Sequence, residues 1–295
     1  MSRDKISAKI VKNDVHVQSW DEFVQELYNI PCNEYGRYRS RYVYRGVGDS
    51  SWHLVTSLQR LGGEYVKLER AMLRSFRKYA KFGEIPRNST WIELAIAQHH
   101  GLPTRLLDWT VSPQVAAHFA TGEDDKYDRD AAIWCVDAEA VHRLLPGSFR
   151  KRLEAEHAYL FSVEMLESLG ASKSLDDFDS SSNTSFAVFF EPPSLDDRIV
   201  NQGAILSVMP DAEGDLTSFL VSHPSLYKRI VIPAGLKWEI RDKLDQDYVT
   251  ERTLFPGLDG LCRWLKRYYG PGPMRELERD AEERDAGDGS DSGRP

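Results

Sequence analysis

Tyr35-Gly-Arg-Tyr-Arg-Ser-Arg-Tyr-Val-Tyr-Arg45, with Gly46 directly after it, is the stretch from which the fold is read. A strand is predicted over 41–46, because β geometry sends alternate side chains to opposite faces. Arg37, Arg39 and Arg41 then share one parity while Tyr42 and Tyr44 share the other. Two readings of the arginines stand side by side. Guanidinium forks grip phosphate bidentately and Tyr rings stack on bases, which makes a surface for phosphate-bearing ligands. The same charges also blunt a solvated strand edge. Arg45 differs from the others because Gly46 follows it, and glycine there allows a sharp turn or a close approach by a ligand.

Working outward, runs of strand length recur at 52–58, 131–136, 186–191, 203–209 and 227–233. Helical spacing predicts helices from Ser19, as N-cap, to about Tyr28, over 64–82 and 90–99, and over 113–120 with Pro113 at its first position. Pro31 ends the first of these, and Gly83 and Pro86 break the second. Further helices are expected at 137–145, 150–169, 194–200, 237–245 and 258–268. Strands and helices are interspersed with no regular βαβ alternation, and no GxGxxG or GxxxxGK[ST] loop is present, which excludes a Rossmann unit and a P-loop. The expected fold is α+β, with a mixed, largely antiparallel sheet of about six strands flanked by helices.

The 295 residues carry a net charge of −8, with 41% hydrophobic residues. That length supports a sizeable core. A loose lead over 1–18, one α+β domain over 19–270 with a flexible Ser/Asp-rich loop at 171–184, and a disordered acidic tail over 271–295 are expected. The absence of an 18-residue apolar run and of an apolar stretch behind the charged N-terminus points away from membranes and secretion, to the cytoplasm. Cys32, Cys135 and Cys262 have neither disulfide nor zinc spacing and read as free buried thiols. The charge is uneven: residues 1–110 hold 17 basic and 12 acidic side chains, whereas 111–274 hold 17 and 26. An anionic ligand is therefore expected near residues 45–108.

Within that third, Gln98-His-His-Gly-Leu-Pro-Thr-Arg-Leu-Leu-Asp-Trp-Thr110 is dense in reactive groups. Gly101 and Pro103 set a turn after a helix, so His99 and His100 project from a rigid corner. Adjacent helical residues diverge by about 100°, so the two imidazoles cannot chelate one ion together, and no metal is expected. His99 reads either as a hydrogen-bonded imidazole at a helix end or as a site residue. Arg105 and Asp108 stand three apart, the spacing of an ion pair on one helical turn.

Tyr44-Arg-Gly46, Thr56-Ser-Leu-Gln-Arg60, the motif just quoted with Ala97 before it, and Ala116-Ala-His-Phe-Ala120 together resemble the FRG domain family, named for an [FY]RG tripeptide. Arg198-Ile-Val-Asn-Gln-Gly203 and Leu254-Phe-Pro-Gly-Leu-Asp-Gly260 extend the resemblance over about residues 20–268. FRG proteins are mainly bacterial and phage-encoded and have been suggested as distant relatives of ADP-ribosyltransferases. The resemblance thus implies NAD as cofactor, transfer of ADP-ribose or hydrolysis of the dinucleotide, and a defence or toxin role.

Carried onto this chain, the resemblance gives Arg45, between Tyr44 and Gly46, as the NAD-gripping residue, Ser57 beneath the nicotinamide ribose, and Gln202 or Glu191 with His99 at the reacting centre. Gln98 lines the same pocket, with Arg105 on a phosphate and Asp108 orienting it. Gln202 cannot supply the negative charge that an oxocarbenium-like transition state calls for, and Glu191, ending the strand 186–191, is the nearest carboxylate. The alternative is a non-catalytic module that binds a nucleotide or nucleic acid through 35–45, with salt-sensitive affinity. Either way the expected partners are an anionic small molecule and a protein or nucleic-acid target.

Overall fold

The computed structural model describes residues 11–30, 35–80, 89–122 and 126–272. Among them eight strands form one open mixed sheet, flanked by 14 α-helices, in the order β1-β8-β4-β2-β3-β7-β6-β5. The strands are β1 Asp14–His16, β2 Tyr42–Val47, β3 Leu107–Thr110, β4 Ala131–Asp137, β5 Phe161–Ser162, β6 Val188–Glu191, β7 Ala204–Val208 and β8 Tyr227–Ile232. The outermost pairings, β1 with β8 and β5 with β6, are parallel, and the others are antiparallel.

The apolar run 131–136 is explained by helices on both faces of β4, which leave every residue from Ala131 to Val136 buried. On one face Val43, Val47, Trp134 and Val136 pack with Leu216 and Leu220. On the other, Tyr44, Ile133 and Cys135 pack with Phe23, Ala116, Ala120 and Ile240. A third cluster, built around Trp91, Phe149, Phe178 and Phe190, covers the β7-β6-β5 end.

Several expectations are corrected. The run 52–58 is not a strand: Thr56 caps the helix Ser57–Arg60 through a reciprocal capping box with Gln59, and that local bonding prevails over the alternating pattern. Residues 14–16 of the expected lead form β1 along β8. In the expected flexible loop, Ser174 caps the helix Leu175–Asp179, and Leu175 and Phe178 reach the core, where Phe178 meets Trp91 edge-on at 5.1 Å. Two apolar anchors thus outweigh a polar composition. The 150–169 helix is two helices, Gly147–Ala155 and Val163–Ser168, with β5 between them, and 64–82 begins as a 3₁₀ turn before the helix Glu69–Tyr79. Cys135 is a buried thiol, whereas Cys262 is exposed. The expectations for residues 1–10, Pro31, Cys32, Gly83, Pro86 and 273–295 lie outside the described residues.

The sheet divides at its middle. β2 pairs with β4 over six residues, but with β3 through the single pair Tyr44↔Thr110. Two four-stranded halves, β1-β8-β4-β2 and β3-β7-β6-β5, are therefore joined in the ladder through one residue pair. Above the seam lies the helix Pro113–Thr121, capped by Ser112. It sits so close to β2 that a Cβ on Gly46 would fall 1.9 Å from the Ala116 carbonyl oxygen and 2.5 Å from the Ala120 nitrogen.

Buried charges hold the far side of that helix. Glu251 accepts from Arg241 Nη2 at 2.5 Å and from Arg267 Nε at 2.7 Å, and Arg241 Nη1 lies 2.7 Å from His118 Nδ1. Burial opposes ionisation of Glu251, but the two guanidiniums outweigh it and hold the carboxyl down at about 2. Burial, reinforced by Arg241, lowers His118 to about 3, and burial lowers His142 to about 4.

Two outcomes follow for stability. Gly46→Ala is expected to cost about 3 kcal/mol, since only backbone lies in the way and none of it can rotate aside; urea denaturation measures it, and a loss under about 0.5 kcal/mol, the scale of an inert surface change, would contradict the packing. Acid destabilises in a fixed order. Below 6.5, the ordinary histidine value, the unfolded chain takes up protons that native His118 and His142 refuse, and below about 4.5 Glu251 adds to the loss. The melting temperature should therefore fall steadily from pH 7 to 4, and a flat profile in calorimetry would refute the buried neutral imidazoles.

Candidate functional site

A cavity of about 270 Å³ opens where the half-sheets part. Its floor is β2 at Tyr44, Arg45 and Gly46, β3 from Asp108 to Thr110, and β7 at Ala204 and Leu206. The helix Thr90–His99 contributes Ala95, Gln98 and His99, the helix Pro113–Thr121 contributes Phe119, and the segment 192–202 contributes Pro192, Arg198, Ile199 and Gln202. Seven of the residues expected at a site, Tyr44, Arg45, Gly46, Gln98, His99, Asp108 and Gln202, thus line one cavity.

Arg45 explains why the seam stays open. In a continuous ladder Asp108 would face Gly46, two residues along from the Tyr44↔Thr110 pair. Instead Arg45 Nη1 donates to the Asp108 carbonyl at 2.5 Å, so a guanidinium stands where a backbone partner would. Beside it Tyr44 is buried, its hydroxyl 3.0 Å from Ser40 Oγ, and burial pushes the phenol up to about 12.

The Gln98–Thr110 motif is bound to itself. Helix Thr90–His99 ends at Gly101, whose φ of +85° is a conformation other residues adopt at a cost, and Leu102 N turns back to the Ala97 carbonyl at 2.8 Å. Thr104 Oγ1 donates to Gln98 Oε1 at 2.6 Å, and Gln98 Nε2 donates to Asp108 Oδ2 at 2.9 Å. His99 Nε2 lies 2.5 Å from Asp196 Oδ2, and Asp196 also caps the helix Asp197–Asn201 through Ile199 N. Burial raises the Asp196 carboxyl, but the Ile199 N–H and the His99 ring outweigh that and hold it below the usual range. His100 is exposed at the helix end.

Gln202 lines the cavity while its amide Nε2 donates to the Leu254 carbonyl at 2.9 Å, which ties it to the helix Glu251–Leu254. Arg198, from the segment already noted for its resemblance but not assigned to the site, stacks its guanidinium 5.0 Å from the Phe255 ring centroid. Its Nε is buried with no hydrogen-bond partner among the described residues. Asp196, too, escaped assignment, although an Asp three residues before Ile199 is an N-cap signal. Phe119 gave none, as an aromatic on a helix reads as core.

Three expected site residues lie elsewhere. Ser57 Oγ bonds to the Thr104 backbone, accepting from its N–H at 3.0 Å, and does not line the cavity. Glu191 ends β6 exposed, and only its neighbour Pro192 reaches the cavity. Arg105 does not pair with Asp108, because residues 107–110 form a strand rather than a helical turn. Instead it is buried, with Nε donating to Glu69 at 2.7 Å and Nη1 to Asp179 at 2.5 Å and to the Pro210 carbonyl at 3.0 Å. Arg37 and Arg39 lie exposed in irregular chain ahead of β2, and Arg41 pairs with Glu139 at 3.0 Å.

Arg105→Ala is accordingly expected to act on folding. Leaving Glu69 and Asp179 without their cation should cost about 3 kcal/mol in chemical denaturation, and a variant of unchanged stability would show that the pair contributes nothing.

Residues 40–129 match the model of the FRG domain, a span just under a third of the chain and narrower than the 20–268 expected. It takes in Tyr44-Arg-Gly46, the Gln98–Thr110 motif and the helix above the seam, and stops short of Arg198 and Gln202. No curated protein and no solved structure matches the chain. The chain therefore contains an FRG domain, whose Tyr44-Arg-Gly46 strand and Gln98–Thr110 motif form the β2 and β3 sides of the cavity.

Proposed function

We propose that the cavity is a nucleotide site and that the protein consumes NAD there as a substrate, cleaving the bond between nicotinamide and ribose for transfer of ADP-ribose or for hydrolysis. The supporting observation is the convergence of Arg45, His99 and Gln202, with Arg198 and Asp108, on one cavity at the seam. Two guanidiniums, Arg45 from the floor and Arg198 from the segment 192–202, suit a pyrophosphate, to which planar forks bond bidentately. The buried Nε of Arg198 is a donor without an acceptor among the described residues, and a phosphate oxygen would satisfy it. Ala95, Phe119, Ile199 and Leu206 add apolar surface for a flat ring. The volume suits one nucleoside-sized end of the dinucleotide.

A second reading rests on the segment before β2, where Tyr35 and Tyr38 are 79% and 78% exposed among exposed arginines. Stacking rings and guanidiniums together are the equipment of a single-stranded nucleic-acid surface.

One titration separates the two. NAD and ADP-ribose are expected to bind saturably in calorimetry, and Arg198→Ala to weaken both about tenfold or more, the size of a lost charge-assisted hydrogen bond. Labelled NAD should release nicotinamide or label protein. Absence of binding at millimolar NAD would sink the proposal, and a single-stranded oligonucleotide that binds with steep salt dependence would favour the second reading.

A further inference from the structure

We infer that Asp108 is the carboxylate that faces the reacting sugar, in the place expected for Gln202 or Glu191. The inference rests on the reading of the cavity as an NAD site. Among the described residues that line the cavity, Asp108 is the one carboxylate. Gln202 has its amide committed to the Leu254 carbonyl, and Glu191 lies outside the cavity.

Asp108 is also held in place. On β3, Leu107 and Trp109 turn into the core with Trp134 and Phe189, so alternation sends Asp108 to the opposite face, where the helix Thr90–His99 stands. There Gln98 Nε2 holds Oδ2 at 2.9 Å, and Thr104 Oγ1 fixes the Gln98 amide by donating to its oxygen at 2.6 Å. The carbonyl of Asp108 is fixed in turn by Arg45. Backbone and side chain are thus both oriented before any ligand arrives, which is the condition for electrostatic stabilisation without reorganisation. Oδ1 has no hydrogen bond among the described residues.

The chemistry then balances as follows. The bond from ribose C1′ to the nicotinamide nitrogen breaks, and its electron pair leaves on that nitrogen, which discharges the pyridinium. Positive charge develops on C1′ and the ring oxygen, next to the Asp108 carboxylate. A lone pair of water, or of an acceptor nucleophile, forms the new bond at C1′ and the nucleophile gives up a proton to solvent. The products are nicotinamide, ADP-ribose or its adduct, and a proton. Asp108 offers a charge opposite to the one that develops, which no amide can do.

Binding tests this without relying on turnover. An ADP-linked iminoribitol, whose protonated ring nitrogen mimics the sugar cation, is compared with ADP-ribose. The wild-type protein should bind the iminoribitol at least tenfold more tightly, and Asp108→Asn should erase that preference while leaving ADP-ribose affinity within about threefold. Equal wild-type affinity for the two ligands overturns the assignment even if the variant does not fold, as does an undiminished preference in Asp108→Asn. If neither ligand binds the wild-type protein, the nucleotide reading fails first and the assignment falls with it.

Discussion

The close approach of a helix to a strand at Gly46 is the constraint on which the rest depends. The Ala116 carbonyl oxygen occupies the space a side chain at 46 would need, so the helix Pro113–Thr121 lies directly on β2. Ala116, Ala117 and Ala120 make that approach possible from the helix side, since all three are small and fully buried. The helix in turn carries Phe119 to the cavity and His118 to the Arg241 cluster. One glycine thus sets the height of a wall, and the wall joins the seam of the sheet to the C-terminal helices.

Around the seam the protein substitutes polar side chains for backbone pairing. Arg45 takes a carbonyl that a strand would have taken, Thr110 Oγ1 takes the Gln202 carbonyl at 2.6 Å, and Gln202 takes the Leu254 carbonyl. These three carbonyls are each satisfied while the half-sheets stay apart, which lets a polar cavity persist between them. Farther out, two buried ion clusters, Arg105 with Glu69 and Asp179 on one side and Glu251 with Arg241 and Arg267 on the other, brace the halves separately. Such clusters contribute less to net stability than to geometry, since desolvation offsets much of their attraction.

What the sequence made legible follows from physics that is local. The apolar run 131–136 and the β-branched Ile230-Val-Ile232 need only their own composition to be read as strands, and Ser112-Pro113 marks a helix start by itself. The convergence of Arg45, His99 and Gln202 was likewise legible, through motif density and resemblance. Strand β3 was not, because its four residues hold Asp108 and Thr110 inside a polar motif and their extended form is imposed by β7. Arg105 was assigned to a phosphate because its acids, Glu69 and Asp179, are 36 and 74 residues away. In the Ser/Asp-rich stretch, the core contacts of Leu175 and Phe178 are again distant in sequence, and composition hid them. Long-range partners decided every such case.

The path of the chain through the sheet carries one more consequence. β2 lies in one half, β3 in the other, β4 returns to the first, β5 to β7 lie in the second and β8 returns again, so the backbone crosses the seam four times. Neither half is a continuous piece of sequence: the one holding β3 is complete only with β7, and the one holding β2 only with β8, the last strand. Assembly of this kind is dominated by non-local contacts and is expected to be slow. The residues that line the cavity run from Tyr44 to Leu206 and come from both halves, so a ligand bound there would report on, and add to, the integrity of the junction between them.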